Sequence, residues 1–169
     1  QHGNRGQAFY KAGMREDADR ELSEALKGDE FEPTARFHLG LICLKAGRYE
    51  EAMEHFQTIP DKDGVGYGVL RNMALALERM GRFAEQVKLL EKASALRPDD
   101  PDLILTRGIA ELKAGAAQEA RATFRRYRKE LGRKIPPPLY YTFSVLAAAI
   151  SGGLEEAINL GREGLKIYP

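Results

Sequence analysis

Histidine and cysteine are the side chains in this sequence best suited to bind a metal or to act as a nucleophile, and there are few of them. The three histidines are His2, His38 and His55, and no two are four residues apart, the spacing that places a zinc-binding pair on one helix face. The single cysteine, Cys43, excludes an internal disulfide bond and a cysteine-built zinc site. We therefore predict no metal and no cofactor, ordinary packing or surface roles for the histidines, and a buried structural thiol at Cys43.

A glycine-rich segment at residues 64–68, Gly-Val-Gly-Tyr-Gly, is superficially similar to a phosphate-binding loop. Such loops follow a strand, and the P-loop ends in Gly-Lys followed by Ser or Thr, but neither feature occurs here. The segment is better explained as a flexible turn between two helices. Because the sequence offers no nucleophile with its base, no catalytic pair of carboxylates and no metal-ligand set, we predict that the protein is not an enzyme.

Composition narrows the class of protein further. The chain has 169 residues, 43% of them apolar, with 26 Lys and Arg against 25 Asp and Glu, which is too apolar for a disordered chain. Its longest apolar run, Leu139–Ile150, is shorter than the roughly 20 residues that a membrane-spanning helix needs. The first residue is Gln1, and we expect the chain to be a fragment of a longer protein. The composition fits a soluble domain and allows the cytoplasm and the periplasm equally.

Regularly spaced glycines indicate an internal repeat. Successive glycines lie 34 residues apart, and the last follows after 37 residues: Gly13, Gly47, Gly81, Gly115 and Gly152. Each follows an amphipathic stretch, and four follow a cation two residues earlier, which is how helices commonly end. Apolar residues recur every three to four positions and nowhere alternate as in a strand. The sequence therefore predicts ten helices in five antiparallel pairs.

Residues of fixed size keep the same register. Seven residues before the turn glycine the side chain is small in four copies, and nine residues after it a Leu or Phe follows in four copies; Val145 and Gly161 are the exceptions in the last copy. This pattern predicts closely approaching helices with a large side chain filling the space beside the contact. Gln86 stands where the other copies have Ala, so we expect a looser contact there.

The segments Leu39–Phe56 and Met73–Pro98 carry the pattern most clearly, and it resembles the tetratricopeptide repeat, or TPR. The resemblance covers essentially the whole chain. It implies a right-handed α-solenoid of five helix pairs forming a single array, with repeats at 1–32, 33–66, 67–100, 101–137 and 138–169. It also implies a protein–protein interaction scaffold, within a larger multi-protein assembly, that holds a peptide or helix of a partner protein in the groove lined by the first helix of each pair.

Carried over to this chain, the resemblance predicts a groove with an apolar floor and a basic edge. Such a surface suits an amphipathic helix or an extended segment with leucine-like anchors and some acidic residues. The predicted groove residues are Phe37, Leu41, Leu44, Lys45, Arg71, Asn72, Leu75, Glu78, Arg79, Leu105, Ile109, Leu112, Lys113 and Leu146. The cations among them have a simpler explanation as charges at helix C-termini, and both explanations stay open.

A chaperone-tail clamp, which grips a terminal carboxylate with Lys, Asn and Arg, is disfavoured. The equivalent positions hold Phe37, Leu41, Asn72, Asp102 and Thr106. Only Asn72 fits, and Asp102 would repel a carboxylate.

A basic segment provides a competing function. Residues 121–134 carry seven cations and one acid: Arg121, Arg125, Arg126, Arg128, Lys129, Arg133 and Lys134, against Glu130. A basic helix can bind nucleic acid or anionic lipid, although a solvated face or a protein contact is the simpler explanation. We expect protein binding first and nucleic-acid binding only as the alternative.

Self-association is the third prediction. The acidic stretch from Arg15 to Glu32 and the basic segment have opposite charges near opposite ends of the chain, which allows head-to-tail assembly. The stretch Leu139–Ile150 is apolar on nearly every face, so we expect it to be buried, yet no polar capping helix follows. Either more chain, a partner or a second copy would then cover this end.

Overall fold

The computed structural model describes residues 2–28, 33–60 and 66–169, in which there are ten α-helices and no β-strand, confirming the predicted all-α class. The helices are α1 (His2–Lys11), α2 (Arg15–Gly28), α3 (Pro33–Lys45), α4 (Tyr49–Gln57), α5 (Gly66–Arg79), α6 (Phe83–Leu96), α7 (Pro101–Lys113), α8 (Ala117–Leu131), α9 (Pro138–Ile150) and α10 (Leu154–Ile167). Within the described chain, none of them is long and apolar enough to span a bilayer.

The helices group into two compact units, Gln1–Gly81 and Arg82–Pro169. In the first unit α1 packs on α2, α3 on α4, and α2 on α3, around a core that contains Ala18, Leu22, Ala35, Leu39 and Ile42. In the second unit α7 packs on α8, α9 on α10, and α8 on α9, around a core that contains Ile104, Phe124, Tyr127, Tyr140 and Tyr141. Helices α5 and α6, the predicted third pair, belong to different units.

The five register glycines end the first helix of each pair, as predicted. All five have a positive φ, between 72° and 87°, a conformation that glycine adopts without the steric cost of a Cβ. At the end of α3, Arg48 N donates to Cys43 O at 2.9 Å and Gly47 N donates to Leu44 O at 3.2 Å. These two hydrogen bonds form the Schellman motif, which closes the helix and turns the chain back into α4.

In three of the helix pairs, the small and the large side chain meet more directly than the sequence indicated. A Cβ added to Gly40 would lie 2.5 Å from the ring of Phe56, and one added to Gly108 would lie 2.7 Å from the ring of Phe124. The large residue therefore sits on the glycine itself rather than beside the contact. Gly6 and Leu22 make the same contact between α1 and α2.

The last pair reverses this arrangement. Here the large residue, Tyr141, lies on the first helix and the glycine, Gly164, lies on the second; a Cβ on Gly164 would be 3.0 Å from the tyrosine ring. A Cβ on Gly161, which stands where Phe124 stands in the preceding pair, would meet nothing within 4 Å. The two exceptions in the sequence register thus mark a pair that packs in a different way.

Three expectations need correction or refinement. Helix α9 is buried only in part: Leu139, Leu146 and Ile150 are 57%, 46% and 63% exposed. In the glycine-rich segment, Gly66 begins α5, so residues 66–68 are helical rather than a flexible turn, whereas residues 64 and 65 lie outside the described residues. Gln86 is 2% exposed and its side-chain oxygen has no hydrogen bond within the described structure, so this position buries an unsatisfied polar atom; the looser helix contact expected there stays a prediction.

Candidate functional site

A cleft in the first unit brings six of the fourteen predicted groove residues together. It has a volume of about 410 Å³ and is formed by α3, α5 and the start of α4. Its lining is Leu41, Leu44, Lys45, Tyr49, Asn72, Leu75 and Arg79. Residues three, four and seven apart share one face of a helix, which is why the α3 and α5 residues point to the same opening.

The polar groups of the cleft are held in place by neighbours outside it. Lys45 Nζ lies 4.5 Å from the ring centroid of Tyr10 on α1, a cation–π contact that restricts the lysine side chain. Asn72 Nδ2 donates to Gly68 O at 2.9 Å, and this bond leaves the side-chain oxygen as an acceptor. The cleft therefore has an apolar floor, two cations and an amide acceptor.

The other three predicted groove residues of this unit do not line the cleft. Phe37 is half-buried and packs in the interior: its ring centroid lies 5.8 Å from that of His38 and 5.9 Å from that of Phe56. Arg71 is exposed on α5, and Glu78 is half-buried. Phe37 thus packs against neighbouring aromatic rings while remaining partly exposed, and its place in the groove stays a prediction.

In the second unit, the predicted apolar floor is largely interior. Leu105 and Leu112 are each 9% exposed and belong to the core around Tyr140, and Ile109 packs against that core. Only a small fraction of the Leu105 and Leu112 surface is thus exposed, and their role in the groove stays a prediction. Leu146 is 46% exposed, and Lys113 is exposed with Nζ 5.2 Å from the ring of Phe83.

The basic segment of α8 is neutralised in part by α10. Arg125 forms a two-point contact with Glu156, from Nε to Oε1 at 2.9 Å and from Nη2 to Oε2 at 2.6 Å. Arg121 Nε donates to Oε2 of the same carboxylate at 2.7 Å. Because Gly153 has no side chain, the Arg121 guanidinium can lie directly against the start of α10.

This ion-pair cluster shifts the titration of its members. The hydrogen bonds from Arg125 and then from Arg121 outweigh the opposing effect of burial and lower the pKa of Glu156 to about 2. The same bond with Glu156 raises the pKa of Arg125. One carboxylate therefore binds two of the seven cations tightly.

The remaining cations of the basic segment divide into two groups. Arg126 donates to Pro98 O at 2.8 Å and Arg128 donates to Gly132 O at 2.7 Å, so both guanidinium groups bind backbone oxygens. Lys129, Arg133 and Lys134 are exposed. Because the Glu156 carboxylate pairs with Arg121 and Arg125, the net charge available to a polyanion is smaller than the sequence count of net +6 indicated.

Cys43 is buried, as predicted for a structural thiol, and His38 has a packing role. Cys43 is 3% exposed, burial raises the pKa of its thiol, and Sγ lies 3.8 Å from Glu51 Oε2. His38 is 8% exposed, with Nδ1 2.8 Å from Thr34 O. Among the described residues, no three His, Cys, Asp or Glu side chains are arranged to hold a metal ion.

Tyr49 and Glu156 are the site residues that sequence reasoning missed. Tyr49 follows the turn glycine by two residues, as Phe83 does in the next copy, and could have been assigned to the groove edge from that register. Glu156 follows its turn glycine by four residues, where every copy has an acid, and that column was a signal for ion pairs.

Comparison with known sequences identifies the family. The family model described as tetratricopeptide repeat matches residues 4–65 and 71–134. The chain belongs to the tetratricopeptide repeat family. The crystal structure of YrrB, described as a TPR protein with an unusual peptide-binding site, has the same fold, with a TM-score of 0.87 at 17% identity over 99% of this chain and 85% of that one.

Two curated relatives are similar in sequence. The TPR repeat-containing protein YpiA of Bacillus subtilis is 29% identical over 164 residues, which are 94% of this chain and 37% of YpiA. The Hsp70-Hsp90 organising protein of Plasmodium falciparum is 30% identical over 73 residues, which are 43% of this chain and 29% of that protein. The chain thus corresponds to only about a third of the length of either relative.

Proposed function

We propose that this TPR chain is a non-enzymatic scaffold that binds a segment of a partner protein in the cleft of the first unit. The observation that carries the proposal is the lining of that cleft, in which Leu41 and Leu75 form an apolar floor beside Lys45 and Arg79. Membership of the TPR family supports protein binding in general, and the peptide-binding site of YrrB supports a peptide as the ligand.

The cleft chemistry selects a particular kind of peptide. A leucine-like side chain would bury its apolar surface on the floor, while a carboxylate next to it would meet the two cations at the edge. The free acceptor of Asn72 suits a backbone N–H of an extended segment. Leu41 stands where a chaperone-tail clamp needs a polar or basic group, so an internal acidic segment is a better ligand than a terminal carboxylate.

The mechanism is presentation of a preformed surface. Packing of α2 on α3 and of α3 on α4 fixes the helices that carry the cleft. A binding surface that is already ordered loses less conformational entropy when the partner arrives, so more of the contact energy appears as affinity.

Selection of peptides from a random displayed library tests this proposal. We expect wild-type protein to enrich sequences with Leu, Ile or Met beside Asp or Glu, and Leu75→Glu to lose them because the new carboxylate buries charge in the floor and repels the acidic peptide. The matched control is Leu96→Glu, since Leu96 is 55% exposed on α6 in the other unit. Affinities of one enriched peptide for the three proteins are then measured by fluorescence anisotropy.

Equal affinity of Leu75→Glu and Leu96→Glu for the enriched peptide would show that binding occurs elsewhere. Charge reversal provides the second arm: Lys45→Glu combined with Arg79→Glu should enrich peptides with Lys or Arg in place of the acids. Enrichment of the same acidic peptides by this variant would contradict the role given to the two cations.

A further inference from the structure

Helix α9 carries a stripe of large apolar side chains on one face. Leu139, Leu146 and Ile150 are exposed, and Phe143 is half-buried. These four residues are spaced by four, three and four positions, so at about 100° per residue their side chains lie within a sector of about 60°. Single exposed apolar residues are common, whereas a stripe of this kind on one helix is typical of a contact surface.

The stripe occupies register positions that stay open when another helix pair follows. Its residues lie thirteen, nine, six and two positions before the turn glycine, and α7 has Asp102, Thr106, Ile109 and Lys113 there. Ile109 is half-buried and the other three are exposed, although α9 packs against α7. The openness of these positions is thus a property of the groove face in both pairs of the second unit.

The positions that become buried when a pair follows are different ones. On α7 they are those of Leu105 and Leu112, each 9% exposed in the core that also contains Tyr140. The equivalent residues of α9 are Thr142 and Ala149, and neither belongs to the stripe. The exposure of the stripe therefore does not depend on where the chain ends.

The apolar character of these positions is specific to α9. Two residues before the turn glycine, the other four first helices have a cation and α9 has Ile150; nine residues before it, they have Asn, His, Asn and Thr, and α9 has Phe143. On α3 and α5 the first of these positions provides the cleft cations Lys45 and Arg79. Helix α9 has no charged residue, so its ligand has to bring apolar side chains to the stripe rather than a carboxylate.

The chemistry of the stripe favours a helical ligand over an extended one. An extended segment needs partners for its backbone N–H and C=O groups, and the cleft of the first unit offers it Asn72, but the apolar side chains of the stripe offer none. A helix satisfies its own backbone groups. With large apolar residues at i, i+4, i+7 and i+11, a helix also repeats the spacing of the stripe, so the side chains of the two helices interdigitate.

The neighbouring helix α7 supplies a charge at each end of the stripe. Because the chain reverses between α7 and α8 and again between α8 and α9, α7 and α9 run in the same direction. Asp102 therefore lies beside the N-terminal end of the stripe and Lys113 beside its C-terminal end, and both are exposed. Helices are stabilised by acids in their first turn and cations in their last turn. A helix of this kind matches both charges when it lies antiparallel to α9.

We propose that the stripe binds an amphipathic α-helix of a partner protein, antiparallel to α9. The bound helix has large apolar residues at i, i+4, i+7 and i+11, an acid in its first turn and a cation in its last turn. This inference goes beyond the function proposed for the cleft of the first unit, because it uses other residues and selects a helix instead of an extended acidic segment.

Selection from a displayed library of helical peptides tests this proposal. The scaffold is an Ala-rich peptide of about 18 residues, long enough to be helical on its own, in which the positions i, i+4, i+7 and i+11 and those of the first and last turns are randomised. We expect the wild-type protein to enrich Leu, Ile, Met or Phe at the four spaced positions, Asp or Glu in the first turn, and Lys or Arg in the last turn.

The affinity of one enriched helix for variants of the stripe is then measured by fluorescence anisotropy. Leu146→Glu should weaken binding by about tenfold or more, because a carboxylate would lie in the middle of the apolar contact. Leu96→Glu is the matched control, since Leu96 is 55% exposed on α6 and lies outside the stripe. Circular dichroism checks that each variant keeps its helix content.

Two further comparisons separate the stripe from the cleft and determine the direction of the helix. Leu75→Glu should keep the affinity for the enriched helix, and Leu146→Glu should keep the affinity for the acidic peptide selected through the cleft, so either proposal can fail without the other. Lys113→Glu should enrich helices with a cation in place of the acid of the first turn.

Three results would overturn the proposal: enrichment of no helix, equal affinities of Leu146→Glu and Leu96→Glu, or loss of binding in Leu75→Glu. A proline in the middle of the enriched peptide prevents it from forming a continuous helix, so an affinity that survives this change would show that the ligand is extended. Enrichment of the same acidic first turn by Lys113→Glu would contradict the direction given to the helix.

Discussion

The cations of the cleft and the cations of α8 look alike in the sequence and differ in their surroundings. Lys45 and Arg79 line an open cleft with no carboxylate in its lining, whereas Arg121 and Arg125 share the carboxylate of Glu156. A cation in the first setting can attract an acidic ligand, and one in the second setting is already satisfied. Whether a cation is available to a ligand therefore depends on whether a neighbouring helix supplies a carboxylate, and not on the number of basic residues.

Removal of the Glu156 carboxylate should cause the largest of the expected changes, a loss of folding stability. Glu156→Gln leaves two arginines side by side without a counter-charge, and we expect the free energy of unfolding to fall by about 1–3 kcal/mol at pH 7. Urea denaturation followed by circular dichroism measures this change. Glu85→Gln is the matched control: Glu85 holds the same register position but is exposed and forms its ion pair with Arg82 on its own turn, so its loss should matter much less.

The pH dependence checks the cause of that loss. The folded-state pKa of Glu156, about 2, lies below its ordinary value of 4.5, so its stabilising contribution is present above about pH 4.5 and is lost as the pH falls toward 2. The wild-type protein and Glu156→Gln should therefore converge in stability over that interval. A difference that persists unchanged to pH 2 would mean that packing, and not charge, is responsible.

Binding to a polyanion should show an intermediate effect. Glu156→Gln frees Arg121 and Arg125, so the affinity of this variant for labelled poly(U) should rise several-fold. The logarithm of the affinity should also fall more steeply with the logarithm of the salt concentration, as expected for about one to two additional phosphate contacts. Glu130→Gln removes the same charge from the exposed surface of α8 without freeing an arginine. Equal gains in the two variants would show that only net charge matters and that the pairing leaves both arginines accessible.

Neutralising the cleft cations should have the smallest effect on stability. Lys45 is exposed, and its contact with the ring of Tyr10 is worth about 0.5 kcal/mol at such a site. Lys45→Gln and Arg79→Gln should each change the free energy of unfolding by about 0.5 kcal/mol or less. Urea denaturation provides the measurement, and a loss as large as that of Glu156→Gln would assign the two cations a structural role.

The fold could be predicted from the sequence because its determinants are local and periodic. The turn glycines mark helix ends by their own conformational freedom, and pairs such as Gly108 with Phe124 recur at a fixed spacing. The cleft was predicted in part, because Leu41 and Leu75 share one register position on successive first helices. Periodicity indicates on which face of a helix a residue lies, and this was enough to predict six of the residues that line the cleft.

Burial at a given repeat could not be predicted, because it depends on what packs beyond the helix. Leu105 and Leu112 hold groove positions, yet both belong to the core that also contains Tyr140 and Tyr141 of α9. The apolar sequence of α9 predicted a buried helix, yet Leu139 and Ile150 are each more than half exposed. Ile150 holds the register position that a cation holds in the other pairs, and Leu139 follows a proline. The pairing of Glu156 with Arg121 spans 35 residues and depends on a missing side chain at Gly153, which no local rule includes.

The reversed contact of the last pair has a consequence for how such an array can be rearranged. The pairs that contain Gly40 and Gly108 share one scheme of side-chain volumes and are interchangeable in principle. Replacing α8 by the sequence of α10 would instead put Gly161 over Gly108, and the missing ring would leave an empty space costing several kcal/mol. A single helix of the last pair therefore cannot replace its counterpart in the pairs that contain Gly40 and Gly108, and α9 and α10 can be moved only together.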